Sequence, residues 1–484
     1  MTKHPAVFLG IDLGTSSLKV LALSEEGHTV RQGQAPIPLT HPRPGWAEQD
    51  PEAWWTALCQ AIPQALQGLR GRVVALGLSG QMHGTVLTDT EGRPLAPAVI
   101  WADRRSEEVL ADYRDRLPET ALEALHNPIV PGFTGPTLFW VSKHQAELLK
   151  RARWVLQPKD WLRFRLTHTI GAEPSDASAT LLFEPARGGW SEAVLQALGL
   201  DPELLPPLGA PATIAGYLNA QAAQELGLPA GVPVAFGAAD QAAAALGNGI
   251  LNAGQAQIGL GTGGQVLKVY EHPVRPPLGV HLFCHAIPQR WYHLGAILNL
   301  GLALHWVQGV LSISWSKLLQ LADQAFGAQG PIFLPYLVGE RTPYLNPQAR
   351  AAWIGLTVEH TQVDLARSAL EGILLALKEA ALAVDLSDVG SIRLAGGILR
   401  TRQVPQLLAD LLGMSLDIPK SPEASAWGAA LLGGLASGDL QSDELPSWTI
   451  PSVHRVAPQR QISEAYLERF REAYRKLDDG NRLG

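Results

Sequence analysis

The chain has 484 residues, 46% of them hydrophobic and 17% charged, with a net charge of −7. That length predicts two or more domains with sizeable cores, and the negative balance argues against a nucleic-acid-binding surface. Cys59 and Cys284 are the two cysteines, which excludes a disulfide framework or a cysteine metal cluster and fits free thiols in a reducing cytoplasm. No secretory signal is read at the N-terminus, and no apolar run is long enough to span a membrane.

The first predicted unit is a strand over Val7-Phe8-Leu9, a turn at Asp12-Leu13-Gly14-Thr15-Ser16, and a strand over Leu18-Lys19-Val20-Leu21-Ala22-Leu23. A tight glycine turn brings backbone N–H groups close to an anion, and Thr and Ser hydroxyls add donors. Asp12 can hold a metal-bound water near a phosphate, or can shape the hairpin as an Asx-turn; the residues alone leave both open. A helix follows over 51–69. An apolar strand then ends in Ser79-Gly80-Gln81-Met82-His83-Gly84-Thr85, which exposes polar groups to a ligand, although a lone histidine is more often structural. Trp101-Ala102-Asp103-Arg104-Arg105 either lines a sugar pocket or packs a loop. Another apolar strand, over 232–239, runs into Asp240 and the helix-forming stretch that begins at Gln241. A carboxylate there serves as a helix cap, a general base, or both.

The second half repeats the opening pattern. Gln257-Ile258 leads into Gly259-Leu260-Gly261-Thr262-Gly263 and then Gln265-Val266-Leu267-Lys268-Val269-Tyr270. Gly259, Gly261 and Gly264 also spell a dinucleotide fingerprint, but that motif needs a helix next, and these residues read as strand. Helices are predicted over 363–382 and 404–412. The strand Ile392-Arg393-Leu394-Ala395 ends in Gly396-Gly397 and matches the strand over 73–81, provided the second half carries an insertion. Chance recurrence is the alternative. The expected fold is α/β, with two similar domains (1–248 and 249–484) around a cleft. Two turns suited to a polyphosphate and a separate acceptor cluster suggest phosphoryl transfer, which needs a phosphate cradle, Mg²⁺ ligands and a carboxylate base.

Several stretches, in order, resemble the FGGY family of carbohydrate kinases. They are Ile11-Asp12-Leu13-Gly14-Thr15-Ser16, Trp46-Ala47-Glu48-Gln49-Asp50-Pro51, Gly80-Gln81-Met82-His83-Gly84, Trp101-Ala102-Asp103-Arg104-Arg105, Pro158-Lys159-Asp160 and Ser175-Asp176-Ala177-Ser178. Gly339-Glu340-Arg341-Thr342-Pro343, the stretch from Trp353-Ile354-Gly355-Leu356 to Ala369-Leu370-Glu371-Gly372, and Ala395-Gly396-Gly397 continue the series.

The resemblance implies two actin-like, ribonuclease-H-like domains, MgATP in the cleft and a ketopentose below it. The implied reaction is transfer to the terminal hydroxyl of D-xylulose. D-ribulose, L-ribulose, glycerol and gluconate are runner-up substrates, and an actin-like nucleotide switch is the non-enzymatic alternative. It further implies Asp240 as proton acceptor and Asp12 as the metal and phosphate aspartate. Met82 and His83 become sugar contacts, and Gln81, Trp101, Asp103 and Gln241 complete the substrate set. Gly14, Thr15 and Ser16, then Gly261, Thr262 and Gly263, then Gly396 and Gly397 contact the nucleotide. The implied partners are a small sugar and MgATP, with no nucleic acid and no membrane; the assembly is left between monomer and homodimer. Thr137 stands where the family commonly has Lys, Gln241 where it often has Asn, and Ile398-Leu399-Arg400 is less polar than usual.

Overall fold

The computed structural model describes residues 6–69, 72–321, 326, 330–396 and 403–481. Two mixed sheets organise it. In the first, β1 (Ala6–Leu13), β2 (Ser17–Ser24) and β3 (Thr29–Pro36) form an antiparallel meander. β4 (Arg72–Gly80) runs parallel to β1; β5 (Ile214–Tyr217) and β6 (Pro233–Ala235) complete the order β5-β6-β4-β1-β2-β3.

The second sheet repeats this plan. β7 (Ala256–Leu260) and β8 (Gly264–Tyr270) form the hairpin, followed by β9 (Val280–Cys284) and β10 (Trp291–Ile297). β11 (Ile392–Ala395) lies parallel to β7, then come β12 (Leu416–Pro419) and β13 (Ser452–Val456). The order is β9-β10-β8-β7-β11-β12-β13. The recurrence of the Gly/Thr turns is therefore architectural. β4 stands to β1 as β11 stands to β7, and the residues between β8 and β11 form the insertion that the spacing required. The stretch after Gly264 is strand, so the dinucleotide fingerprint has no helix to complete it.

Six helices matter to the site. α1 (Pro51–Leu66) starts at Asp50, whose side chain accepts from Glu52 N, and it stops three residues before the expected end. α2 is Pro158–Thr167 and α3 is Asp240–Gly247. α4 (Gln362–Val384) opens on a Thr361/Asp364 capping box and extends past the predicted span at both ends, while α5 is Gln403–Leu412. α6 is Ala424–Ser437.

α6 belongs to the second half of the chain yet packs on the first sheet. A Cβ at Gly10 of β1 would fall on the Ala426 carbonyl, and one at Gly77 of β4 on the Ala429 carbonyl. Only glycine at those strand positions lets the helix backbone lie on the sheet. α3 and α6 meet the same way, through Gly247 and Gly428. The N-termini of both helices are thereby delivered to the C-terminal ends of β1 and β4.

Beneath that edge lies a fully buried charge cluster. Lys159 on α2 reaches Asp160 at 2.8 Å, Asp176 at 3.0 Å and Glu173 at 3.2 Å; Arg163 reaches Asp160 at 2.6 Å. Burial by itself depresses the Lys159 ammonium, but the three carboxylates outweigh it and hold it charged. Ser175 in this cluster donates to Glu173 and accepts from Ala239 N, so the network grips the residue before Asp240.

Candidate active site

Asp12 ends β1 and sits among hydroxyls. Ser79 of β4 donates to its Oδ1 at 3.1 Å and Ser425 of α6 at 2.9 Å. Burial raises the Asp12 pKa, against the opposing pull of Ser425, Lys19 and Ser79. Lys19 is itself held by Glu423 at 2.6 Å, just before α6.

Asp240 is the first residue of α3, not its cap; Ala239 occupies the cap position without a side-chain bond. The Asp240 carboxylate accepts from Gln241 N at 2.7 Å, and the Gln241 side chain adds a second contact. Burial, then the nearby Asp12 charge, push its pKa up to about 7. A carboxylate held there can take a proton near neutral pH. Ser425 Oγ also lies 3.4 Å from the Asp240 carbonyl oxygen. One hydroxyl on α6 thus links the two aspartates, and the N-termini of α3 and α6 both point positive dipole ends at this spot.

The two Gly/Thr turns join β1 to β2 and β7 to β8. In the first, Gly14 N donates to Ser17 O, Thr15 is half-buried and Ser16 is exposed. In the second, Gly261 and Thr262 are exposed and Gly263 half-buried; Gly301 N and Leu302 N donate to the carbonyls of Gly261 and Thr262. Gly396 has φ +101°, and a Cβ there would meet the Leu260 carbonyl, so the glycine lets β11 end against the second turn. Gly397 lies outside the described residues, as do Ile398, Leu399 and Arg400.

The remaining predicted residues divide by role. His83 has φ +70°, is buried, and places Nδ1 2.7 Å from Ala179 O. Its ring stacks on Phe133 with centroids 3.8 Å apart. Burial lowers its pKa to about 3, so it is neutral at physiological pH. Met82 is buried in the core beside it. Gln81 braces the first turn: its Nε2 donates to Gln49 Oε1 and its Oε1 accepts from Thr15 Oγ1. Trp101 Nε1 donates to the same Thr15 hydroxyl. Asp103 accepts from Ala47 N, Arg105 N, Arg105 Nε and Arg105 Nη2, which fills its acceptor sites and makes it a loop anchor. Gln241 is half-buried beside Asp240.

Three contributors had no role in the sequence reading: Ser79, Ser425 and Gln49. Ser79 and Gln49 stood in quoted motifs without one. Ser425 is 413 residues from Asp12, and its only signal was the run of small residues that lets α6 approach the sheet.

Models of two successive domains match this chain. The N-terminal domain of the FGGY family of carbohydrate kinases covers residues 7–247, and its C-terminal domain covers 256–437. The chain belongs to the FGGY family of carbohydrate kinases. This FGGY kinase is 38% identical to the xylulose kinase of Escherichia coli (strain K12), over 97% of this chain and 98% of that one. The crystal structure of a "xyloylose kinase" from Brucella ovis aligns with TM-score 0.86 and 34% identity over 97% of each chain. A gluconate kinase structure from Lactobacillus acidophilus aligns with TM-score 0.89 at 22% identity, covering 99% of this chain and 98% of that one; it shows the shared fold alone. The two sheets above are the paired actin-like domains of this family, and the enzyme is a carbohydrate kinase. No helix among the described residues is long and apolar enough to cross a membrane.

Family membership implies ATP as phosphoryl donor, and Mg²⁺ is its usual companion. Among the described residues no group of three or more His, Cys, Asp or Glu could cage a metal ion. That fits Mg²⁺, which is held through one or two carboxylates, waters and substrate phosphates rather than a protein cage. Asp12 fits this role: Ser79 and Ser425 occupy Oδ1, and among the described residues no donor is bonded to Oδ2.

Proposed function

We propose that this kinase transfers the γ-phosphoryl group of MgATP to the terminal hydroxyl of D-xylulose, giving D-xylulose 5-phosphate. The observation that carries the reading is the Asp240–Ser425–Asp12 arrangement: a base with pKa near 7, facing a second carboxylate suited to the metal. A pure nucleotide switch has no use for a tuned base at a separate acceptor pocket. The choice of sugar is supported by the similarity to xylulose kinases along nearly the whole chain.

Asp240 accepts the proton of the attacking hydroxyl. The N–H groups of the two Gly/Thr turns and the N-termini of α3 and α6 hold the phosphates in line. Asp12 would hold Mg²⁺, which when bound would supply neutralisation of phosphate charge. His83, neutral and with Nδ1 engaged, offers Nε2 as an acceptor to a sugar hydroxyl. The chain passes from one sheet to the other at 248–249, just after α3, while α6 returns to the first sheet; closure of the two domains would exclude water from the transferring group. The two free thiols and the use of MgATP suit a cytoplasmic enzyme.

The test is ADP release in a coupled assay with D-xylulose, D-ribulose, L-ribulose, glycerol and gluconate. D-xylulose is expected to show the highest kcat/KM. Equal ADP production with and without every sugar would remove the kinase mechanism, and a better rate with D-ribulose would remove the xylulose assignment.

A further inference from the structure

Arg341 lies in the Gly339–Thr342 loop of the second half, and its backbone is pinned. Its N–H donates to Glu340 Oε1 at 2.7 Å, and its carbonyl accepts from Leu345 N at 2.6 Å. On either side, Glu340 N donates to Asn346 O and Thr342 N to Ala296 O. The same Glu340 oxygen accepts from Leu298 N, which ties the loop to the strand end beside the second Gly/Thr turn. The guanidinium, in contrast, makes no hydrogen bond to any described residue. It lies 5.9 Å from the centroid of Phe133, the ring on which His83 stacks. Burial lowers its pKa to about 10, which leaves it fully charged at neutral pH.

The neighbouring imidazoles have their tautomers set by their partners. His83 Nδ1 faces a carbonyl, so it carries the proton and Nε2 is a bare acceptor. Asn127 Nδ2 donates to Leu125 O and Leu282 O, which makes its Oδ1 the acceptor for Leu282 N and for His281 Nδ1. His281 Nε2 is then a second lone pair, buried and without a partner. Arg341 thus places one forked donor near two imidazole acceptors, His83 Nε2 and the enclosed His281 Nε2, both of which accept from a hydroxyl. A carboxylate here would face imidazole lone pairs. A carbonyl flanked by a hydroxyl would satisfy both kinds of group.

We infer that Arg341 is a specificity-determining residue that donates to the carbonyl oxygen of an open-chain ketose whose adjacent hydroxyl donates to His83. This rests on the ketose-kinase reading above. It makes the C-terminal half part of the sugar site, so the ketose itself bridges the two halves across the cleft. A site built to bond a polar group rejects analogues that leave it unpaired.

The experiment compares the wild-type chain with Arg341→Met and Arg341→Lys. The readouts are KM for D-xylulose, Ki for xylitol as a competitor lacking the carbonyl, KM for MgATP and the melting temperature. Arg341→Met is expected to raise the D-xylulose KM about tenfold or more while the xylitol Ki moves less than about threefold. Arg341→Lys, which keeps the charge but loses the fork, is expected to fall between, with the MgATP KM unchanged in both. If Arg341→Met melts early, Arg341→Lys alone must still narrow the gap between the two ligands. A parallel rise in KM and Ki, or an unmoved D-xylulose KM, overturns the inference while the kinase reading stands. A wild-type chain inactive with D-xylulose but active with gluconate overturns the ketose reading, and the inference with it.

Discussion

Ser425 donates a 2.9 Å hydrogen bond to Asp12 across 413 residues of chain. The bond joins the first strand of the first sheet to a helix from the second half, and the same hydroxyl lies 3.4 Å from the Asp240 backbone carbonyl. Any movement of α6 relative to β1 is felt at Asp12.

Ser425→Ala should therefore lower kcat/KM by about tenfold or more while changing stability by only about 1 kcal/mol, the usual worth of one hydrogen bond. Steady-state kinetics beside a denaturant melt will check this. Wild-type kinetics in a folded variant would show that Ser79 alone holds Asp12.

Asp240→Asn should lower kcat by about 10²-fold or more, with the sugar KM little changed. The wild-type kcat should rise with pH and level off above an inflection near 7, because the base works only when ionised. The same shift has a stability consequence. Its folded pKa lies above the ordinary carboxylate value of 3.8, so the folded state binds the proton more tightly than the unfolded chain. The wild-type protein then loses stability as pH rises from about 4 to about 7. The melting-temperature advantage of Asp240→Asn should grow across that window and stay constant above it. An advantage independent of pH would show that Asp240 is not desolvated.

His83→Ala should raise the KM for D-xylulose and leave the KM for MgATP nearly unchanged. Burial holds the His83 pKa near 3, so the sugar KM of the wild-type chain should show no inflection near 6.5 from this residue. An inflection there that vanishes in His83→Ala would mean the imidazole is charged when it meets the sugar.

Gly77→Ala tests the geometry that delivers Ser425. The added methyl would collide with the Ala429 carbonyl, which is backbone and cannot rotate away. Overpacking of this kind costs about 1–3 kcal/mol, and more where backbone must shift. A loss of stability accompanied by a larger loss of kcat than Ser425→Ala is expected from melting curves and kinetics together. Unchanged stability would mean that α6 can slide along the sheet.

The hairpins around the two Gly/Thr turns were legible because each is local: apolar strand, glycine turn, apolar strand within about twenty residues. The fingerprint at Gly259 was correctly set aside for the same reason, since a strand of Val and Leu follows it. Asp240 was legible as a strand-to-helix carboxylate, but its place at the first helical position and its shifted pKa were not. Both depend on what buries it. The residues around Asp103 left pocket lining and loop packing both open; the bonds it accepts from Ala47 and Arg105 favour loop packing, and Ala47 converges on it only in the fold.

By itself the sequence determined the α/β class, the repeated strand–turn–strand units, and which carboxylates and histidine stand at strand ends, since local periodicity and turn chemistry decide those. Tertiary structure alone decided which of these groups meet. Glycines at 10 and 77 admit α6 onto the first sheet, and that contact places Ser425 between Asp12 and Asp240. The Thr342 clip onto Ala296 holds Arg341 near the ring that stacks on His83. Such meetings depend on backbone approach across hundreds of residues, and neither hydrophobic period nor turn composition encodes that distance.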